Sequence, residues 1–351
     1  MAQALQLAAL GLNSTSPNPR VGCVIVRENQ IIGEGWHQRA GSEHAEVHAL
    51  REAGAAARGA TVYVSLEPCS HHGRTPPCAD ALVAAGVERV VIAMPDPNPQ
   101  VAGSGSAQLQ AAGIRVDCGL MEEVAHELNL GFVSRMTRAR PWVRAKAAAS
   151  MDGKTALANG VSQWITGEAA RRDVQTWRAQ ACAILTGVGT VLADDPQLNV
   201  RALDNPRQPL RVIVDSQLRT PPSAKILRGG ALIVSATEEA TKIQALRNAE
   251  AEVLVLPGAD GHVDLVRLLQ NLAARGVNDL MVEAGATLNG ALLEAGLIDE
   301  MILYLAPILL GDTARGLLAL PAFHKMDERK NLVLRDVRQV GNDLRIIARV
   351  I

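Results

Sequence analysis

The sequence comprises 351 residues, which is enough for two domains of ordinary size. It is 48% hydrophobic, carries a net charge of −1, and contains only four tryptophans, two tyrosines and two phenylalanines. A chain without a basic surplus and with few aromatic side chains lacks the usual signs of a nucleic-acid-binding protein. We therefore expect no nucleic-acid partner.

The first twenty residues predict an amphipathic helix that ends near Gly11. No basic residue precedes their apolar run, as one would in a signal peptide. No run of about 18 apolar residues follows, so we expect no membrane span. Five cysteines are an odd number, and a chain without an export signal is expected in the reducing cytoplasm, where structural disulfides are rare.

Short β-branched runs alternate with helical stretches over the first part of the chain. The predicted strands are 21–27, 31–36, 61–67, 88–94 and 114–119. The predicted helices are 44–58, 76–86, one that includes 107–112, and 124–138. This alternation is typical of an α/β layer domain.

A basic, proline-containing joint, TRARPWV at 137–143, separates this pattern from a second one. The later predicted strands are 142–150, 183–187, 210–216, 231–235, 253–258, 279–285 and 301–307. The later predicted helices are 168–179, 238–249, 263–275 and 286–296. The sequence thus predicts two α/β domains, 1–140 and 141–351, without an internal repeat.

Two cysteines lie close together in EPCSHHGRTPPCADA at 67–81, where a polar loop separates Cys69 from Cys78. Upstream, GSEHAEVHAL places His44 at the start of a predicted helix. His44, Cys69 and Cys78 would supply three protein ligands and leave the fourth coordination position open, which is the layout of a catalytic zinc site. Glu46 is two residues from His44, a spacing that suits a proton carrier beside the metal and does not require it to be a ligand.

A disulfide between Cys69 and Cys78 is a second interpretation of this loop, and a chance pairing without function is a third. The disulfide is disfavoured because we expect a reducing compartment. We interpret His71 and His72 as loop residues next to the site rather than as ligands.

The pattern H-x-E, followed by P-C and a second cysteine, resembles that of zinc-dependent cytidine-deaminase-like enzymes. Eight residues separate the cysteines here, whereas the usual spacing is C-x-x-C. This longer form, together with SPNPRVGCVIV at 16–26 and MPDPNPQVAG at 94–103, resembles the bifunctional riboflavin-biosynthesis deaminase/reductase family. The resemblance covers essentially the whole chain.

For the first domain, the resemblance implies a cytidine-deaminase-like three-layer fold that binds one zinc ion through His44, Cys69 and Cys78. It implies that zinc hydroxide displaces an amine of 2,5-diamino-6-ribosylamino-4(3H)-pyrimidinone 5′-phosphate as ammonia, with Glu46 carrying the protons. The positions that match the family's substrate contacts are Asn18, His37, Arg74, Asp96 and Asn98.

For the second domain, glycines beside predicted strand ends offer backbone N–H groups to phosphates. The stretches KAAASMDGKTA at 146–156, LTGVGTVLADDPQLNVR at 185–201 and VEAGATLNGALL at 282–293 resemble the reductase half of the same family. The resemblance implies a dihydrofolate-reductase-like α/β domain that uses NADPH. It would reduce the ribosyl group of 5-amino-6-(5-phosphoribosylamino)uracil to a ribityl chain.

The resemblance also implies individual roles in the second domain. Lys146 and Glu283 match reaction-centre positions. The matching substrate contacts are Ser162, Arg178, Asp194, Leu198, Arg201 and Glu283. The matching NADPH contacts are Ala148, Trp164, Thr190, Asp194, Ser216, Gly285, Ala286, Thr287, Leu288, Asn289, Gly290 and Ala291. We expect a homodimer or a homotetramer.

Three other functions remain as alternatives. His44 and His48 have the spacing of a zinc-protease pair, but Glu46 is not where the H-E-x-x-H motif needs it. A nucleic-acid-editing deaminase with an added domain is disfavoured by the missing basic surface. A non-enzymatic zinc module would not need an open fourth ligand position.

Overall fold

The computed structural model describes residues 1–70, 76–99, 101–201, 203 and 207–351. These residues form two compact units, Met1–Arg140 with Gly276–Asn278, and Pro141–Arg275 with Asp279–Ile351. Helices and strands alternate in both units, so the predicted α/β class is confirmed. Within the described residues, no helix has both the length and the hydropathy needed to span a bilayer.

The first unit is a mixed sheet with helices on its faces. Its strands are β1 (Gly22–Arg27), β2 (Gln30–Trp36), β3 (Thr61–Val64), β4 (Arg89–Ile92) and β5 (Arg115–Cys118). Its helices are α1 (Ala2–Ala9), α2 (Ala45–Ala53), α3 (Cys78–Ala85), α4 (Ser104–Ala111), α5 (Glu122–Leu128) and α6 (Leu130–Arg138). The strand order is β2-β1-β3-β4-β5, and β3, β4 and β5 are parallel.

Alternating apolar side chains give this unit its core, because successive strand residues point to opposite faces. Val62, Val64, Ile25, Ile92 and Leu82 are fully buried in it. The parallel arrangement places the carboxyl ends of β3 and β4 side by side at one edge of the sheet. The segments that follow these strands therefore meet there.

Two glycines bring α2 unusually close to the sheet. A Cβ atom at Gly33 would lie 2.2 Å from the carbonyl oxygen of Ala49, and one at Gly35 would lie 2.2 Å from that of Ala45. Neither position has room for a side chain, so the backbone of α2 rests directly on β2. This contact fixes the start of α2, where His44 is the N-cap residue.

The predicted helix 124–138 is two helices in the structure, with the break at Asn129. The Asn129 side chain is fully buried and forms hydrogen bonds with both backbone groups of Arg20, at 2.8 Å to N and 3.0 Å to O. Because these bonds satisfy the buried backbone groups of Arg20, two helices with a break at Asn129 are more stable than one continuous helix would be.

The second unit is built around a largely parallel sheet. Its longer strands are β6 (Trp142–Ser150), β8 (Ala183–Gly187), β9 (Leu210–Val214), β10 (Ala231–Ser235), β11 (Ala251–Val255), β12 (Asp279–Val282), β13 (Glu300–Ala306), β15 (Leu332–Val340) and β16 (Asp343–Val350), and β7 (Lys154–Ala156) pairs with β14 (Arg315–Gly316). Its helices are α7 (Glu168–Gln180), α8 (Val188–Asp194), α9 (Ala240–Asn248), α10 (Leu265–Ala274) and α11 (Ala286–Glu294).

The main sheet has the order β11-β10-β9-β8-β12-β6-β13-β16-β15. The first seven strands in this order, from β11 through β13, are parallel to one another. Strands β16 and β15 are antiparallel additions at one edge. Ile184, Ile213, Ile233 and Ile302 are fully buried in the core. No strand is predicted from the sequence after residue 307, so the hairpin of β15 and β16 is a correction to that prediction.

Candidate active sites

The first unit contains a cavity of about 500 Å³ at the ends of its parallel strands. His44, Glu46 and Cys69 line it, and Cys78 is buried next to them as the first residue of α3. The side-chain ligand atoms of His44, Cys69 and Cys78 all lie within 4.8 Å of one another. The predicted ligand set is therefore a compact group that faces a cavity.

This donor set fits zinc. The Nδ1 atom of His44 lies 3.2 Å from the Cys78 sulfur and 3.6 Å from the Cys69 sulfur. One imidazole nitrogen and two thiolates are ligands that zinc prefers, and three of them leave a fourth position open. The cavity next to the three ligands gives that open position room for a substrate.

The two thiols share a hydrogen-bonding arrangement that favours a thiolate. Hydrogen bonds from the Cys78 thiol, the His44 ring and the Cys78 N–H lower the pKa of Cys69 to about 4. The pKa of Cys78 is raised, because its thiol donates to Cys69 and because it is buried. A bound metal ion deprotonates both sulfurs, since thiolates are its ligands.

Glu46 is 3% exposed, in the first turn of α2. Burial raises the pKa of its carboxyl above the ordinary value, and the negative charge of Cys69 adds to this, whereas His44 opposes it. A carboxyl whose pKa is shifted toward neutrality takes up and releases protons readily at neutral pH.

Most of the predicted substrate contacts of this unit line the same cavity. Asn18, His37, Asp96 and Asn98 are all among its lining residues. The two His37 ring nitrogens lie 3.1 Å from Asn18 Nδ2 and 3.1 Å from the Glu43 carbonyl oxygen. Burial lowers the pKa of His37, so its ring is neutral at pH 7. Arg74, His71 and His72 lie outside the described residues.

The cavity also has lining residues for which the sequence predicts no role. Phe132 of α6 and Glu67 are two of them. Phe132 carries no local motif that could have marked it. Glu67 belongs to the E-P-C stretch at 67–69, and its position two residues before the predicted ligand Cys69 is the sequence feature that could have marked it.

The second unit has a buried group of charges at the carboxyl end of β12. Glu283 accepts two hydrogen bonds from the Arg178 guanidinium, at 2.6 and 3.0 Å, and lies 3.8 Å from Lys146 Nζ. Burial alone would raise the pKa of Glu283, but the charges of Arg178 and Lys146 outweigh it and lower this pKa. Burial lowers the pKa of Lys146, although Glu283 opposes the shift.

Strand order explains why these residues meet. Strands β9, β8, β12 and β6 are consecutive parallel neighbours, so their carboxyl ends lie at one edge of the sheet. Ser216 follows β9, Gly187 ends β8, Gly285 is the N-cap of α11 after β12, and Lys146 lies in β6. This edge is where ligands bind in open α/β sheets.

The remaining predicted contacts of this unit are less closely gathered. Asp194 and Arg201 are exposed, Leu198 is buried, and Trp164 is 70% exposed with Arg171 stacked on its ring. Ala148, Ser162 and Thr190 are partly buried. The predicted α11 contacts from Ala286 to Ala291 include the buried Asn289 and Gly290, and a Cβ atom at Gly290 would lie 2.1 Å from the carbonyl oxygen of Ala319.

Known proteins match both units. Residues 1–94 match the cytidine and deoxycytidylate deaminase zinc-binding region, and residues 141–346 match the RibD C-terminal domain. The chain is 53% identical to riboflavin biosynthesis protein RibD of Escherichia coli, over 98% of this chain and 96% of that protein. It is 46% identical to the Haemophilus influenzae protein of the same name, over 99% and 95%.

Solved structures agree with these matches. A structure of Acinetobacter baumannii RibD has a TM-score of 0.91 and 48% identity, covering 100% of this chain and 97% of that one. A Thermotoga maritima structure, titled as a diaminohydroxyphosphoribosylaminopyrimidine deaminase and 5-amino-6-(5-phosphoribosylamino)uracil reductase, has a TM-score of 0.87 and 30% identity, with the same coverage. The predicted succession of a deaminase fold and a reductase fold is confirmed.

Proposed function

Because the chain belongs to the RibD family of bifunctional riboflavin-biosynthesis enzymes, we propose a specific reaction and residue roles for each of its sites. Its first domain is a deaminase and its second is a reductase. The observation that supports the proposal best is the presence, in one chain, of His44, Cys69 and Cys78 beside Glu46 and of Lys146 beside Glu283. We assign the first domain to residues 1–140 and the second to 141–351.

The first site removes an amine from 2,5-diamino-6-ribosylamino-4(3H)-pyrimidinone 5′-phosphate. His44, Cys69 and Cys78 hold one zinc ion per chain, and zinc, when bound, supplies the Lewis acid that activates water. Glu46 takes a proton from the water as the water oxygen bonds to the ring carbon. Glu46 then gives that proton to the departing nitrogen, the C–N bond breaks, and ammonia leaves.

Polar groups around the cavity hold the pyrimidine at this site. Asn18, His37, Asp96 and Asn98 line the cavity and offer both donors and acceptors to a heterocycle. The ring nitrogens of His37 contact the Asn18 amide and the Glu43 carbonyl oxygen, so His37 orients Asn18 at the cavity. Arg74 is a further proposed substrate contact, by its match to the family motif.

The second site reduces the sugar of the deaminated product, 5-amino-6-(5-phosphoribosylamino)uracil. NADPH, when bound, supplies a hydride to the sugar carbon that carries the amine, and the ring oxygen takes a proton as the ribose opens to a ribityl chain. Lys146 forms an ion pair with Glu283, and this pair orients the sugar and moves the proton.

The cofactor and the substrate phosphate take the surrounding positions at the carboxyl edge of the sheet. The proposed NADPH contacts are Ala148, Trp164, Thr190, Asp194, Ser216 and the turn from Gly285 to Ala291, where N–H groups at a helix start favour phosphate. The proposed substrate contacts are Ser162, Asp194, Leu198, Arg178, Arg201 and Glu283. The Arg178 guanidinium is engaged by Glu283 and the Asn199 carbonyl, so the exposed Arg201 is the better placed of the two arginines for a phosphate.

Assembly and compartment complete the proposal. Leu332, Val333, Leu334 and Val337 are exposed on the edge strand β15, which supports a homodimer or homotetramer that covers them. All five cysteines are free thiols, which supports a reducing cytoplasm.

Purified, zinc-loaded enzyme with the pyrimidinone substrate tests the proposal. Without NADPH we expect release of one ammonia per substrate and accumulation of the ribosylamino-uracil. With NADPH we expect the ribityl product and one NADPH oxidised per product. NADPH oxidation without prior ammonia release would contradict the order, and release of ammonia from transfer RNA instead of the pyrimidinone would favour a nucleic-acid deaminase.

A further inference from the structure

Glu67 is a buried carboxylate at the deaminase site for which the proposed reaction provides no role. It lies two residues before Cys69, is 4% exposed, and lines the same cavity. Its own backbone continues the sheet, because the Glu67 N–H donates to the Met94 carbonyl at 3.1 Å. The side chain therefore projects from a fixed backbone position.

Both carboxylate oxygens of Glu67 accept hydrogen bonds from described residues of the segment that follows β4. Oε2 accepts from the backbone N–H groups of Asp96, at 3.2 Å, and Gly103, at 3.0 Å. Oε1 accepts from the N–H and the hydroxyl of Ser106, each at 2.9 Å. Every one of these partners is a donor, which suits a carboxylate and no neutral side chain of similar shape.

Two of these bonds cap helix α4. The N-cap residue Gly103 has no side chain, and Glu67 instead satisfies two N–H groups at the start of α4, those of Gly103 and Ser106. A negative charge at a helix N-terminus is also favoured by the helix dipole. Glu67 thus anchors the far end of the segment.

The Asp96 bond anchors the near end. Asp96 Oδ1 in turn accepts from the Asn98 N–H at 2.8 Å, so Glu67 holds Asp96 directly and Asn98 through Asp96. Helix α4 lies very close to the stretch 67–69 at Gly105, where a Cβ atom would lie 1.9 Å from the Pro68 carbonyl oxygen. Only glycine at this position lets α4 approach the segment that carries Glu67 and Cys69.

From this arrangement we infer that Glu67 is a positioning residue for the deaminase reaction, which holds Asp96 and Asn98 against the pyrimidine beside the metal ligands. The inference rests on the proposed function of this site. Glu67 touches neither reacting atoms nor metal in this role. It determines how tightly the pyrimidine binds rather than how fast the bound pyrimidine reacts.

Glu67→Gln is the informative variant, because it keeps the shape and replaces one acceptor by a donor. Whichever way the amide faces, its NH₂ group opposes a backbone N–H, either those of Asp96 and Gly103 or that of Ser106. We expect the KM for deamination to rise about tenfold or more, as for loss of a charged hydrogen bond, while kcat changes little. Zinc content should stay at the wild-type level.

The matched control is Glu88→Gln, since Glu88 is an exposed carboxylate of the same unit that pairs with Arg115. It should leave KM, kcat and zinc content unchanged. Glu67→Asp, which keeps the charge but is one methylene shorter, should raise KM as Glu67→Gln does. Loss of zinc in either Glu67 variant, a fall in kcat at unchanged KM, or an unchanged KM would each overturn the inference.

Amide hydrogen exchange separates this inference from the proposed function. In Glu67→Gln the N–H groups of Asp96, Gly103 and Ser106 should exchange faster, while those of β3 keep their protection. If the wild-type enzyme releases no ammonia, the proposed function fails, and the exchange still decides whether Glu67 holds this segment. Unchanged exchange at all three amides would overturn the inference by itself.

Discussion

At the scale of single residues, the deaminase site contains two buried glutamates with different surroundings. Both side-chain oxygens of Glu67 accept hydrogen bonds from the segment that follows β4, which fixes the side chain in place. Glu46 lines the same cavity as His44 and Cys69, and burial raises the pKa of its carboxyl. Two residues of one type therefore have different tasks because their environments differ.

We predict that Glu46→Gln retains zinc and loses deamination. Glutamine keeps the size of the side chain but can neither take up nor release a proton, whereas His44, Cys69 and Cys78 are unchanged as ligands. The rate of ammonia release should fall by roughly 10²–10⁴, the usual contribution of general acid–base catalysis. Zinc analysis and an ammonia assay on the same sample check this.

The contrasting variant is Cys78→Ser. Because Cys78 is buried within the ligand group, its loss should remove the metal and the activity together. A Glu46→Gln protein that has lost its zinc would identify Glu46 as a ligand. A Cys78→Ser protein with full zinc and full activity would show that the ligand assignment is wrong.

At the scale of elements, a buried charge network joins α7 to the C-terminal hairpin. Arg345 of β16 donates to Asp173 of α7 at 2.9 Å and to Asp336 of β15 at 2.9 Å, and its guanidinium lies over the Trp177 ring. The Tyr304 hydroxyl donates to the same Asp173 oxygen at 2.5 Å. These contacts let a charged edge of the sheet pack against a helix.

We predict that Arg345→Met destabilises the reductase unit. The Arg345 side chain is only 9% exposed, so its removal leaves Asp173 and Asp336 without the cation they share. We expect the free energy of unfolding to fall by about 3 kcal/mol, the lower end of the range for broken buried pairs, since both carboxylates are partly exposed. Urea unfolding followed by tryptophan fluorescence measures it, since Trp177 lies against Arg345.

Arg338→Met is the control, because Arg338 also pairs with Asp336 but is 59% exposed. An exposed pair contributes about 0–1 kcal/mol, so this variant should unfold almost as the wild type does. Equal losses in the two variants would mean that the burial of Arg345 does not determine its contribution.

The charge network around Arg345 also shows which strands can be predicted from the sequence. Continuous apolar runs such as β8 and β10 are buried in the sheet and lie at their predicted positions. The strands β15 and β16 carry Asp336, Arg338 and Arg345 within them, and these charges interrupt the alternation that indicates a strand. Their placement in the sheet depends on partners far away in the sequence.

The two candidate active sites likewise contain residues that sequence spacing can bring together and residues that only the fold brings together. His44, Cys69 and Cys78 are predictable because short spacings at helix and strand ends place them together. The ion pair of Arg178 with Glu283 spans 105 residues, and only the order β8-β12-β6 brings the end of β12 near α7. Glu67 lies within the E-P-C motif, but its four donors come from a segment whose fold the motif does not determine.

At the scale of the whole molecule, each unit has its own core and its own polar site. Ile25, Val62 and Leu82 belong to a core formed only by residues of the first unit. Ile184, Ile213 and Tyr304 belong to a core formed only by residues of the second. Units of this kind are expected to fold and to function separately.

We predict that the two activities can be removed one at a time. Glu46→Gln should still oxidise NADPH when it is given the deaminated substrate, because Lys146 and Glu283 are unchanged. Conversely, Glu283→Gln removes the carboxylate that binds Arg178, so it should weaken reduction and leave ammonia release nearly intact. Each activity is measured with its own substrate, and a melting scan of each variant distinguishes lost chemistry from unfolding. If folded, zinc-loaded Glu46→Gln cannot reduce the deaminated substrate, the two reactions share one composite site, since each unit would then need the other's residues to work.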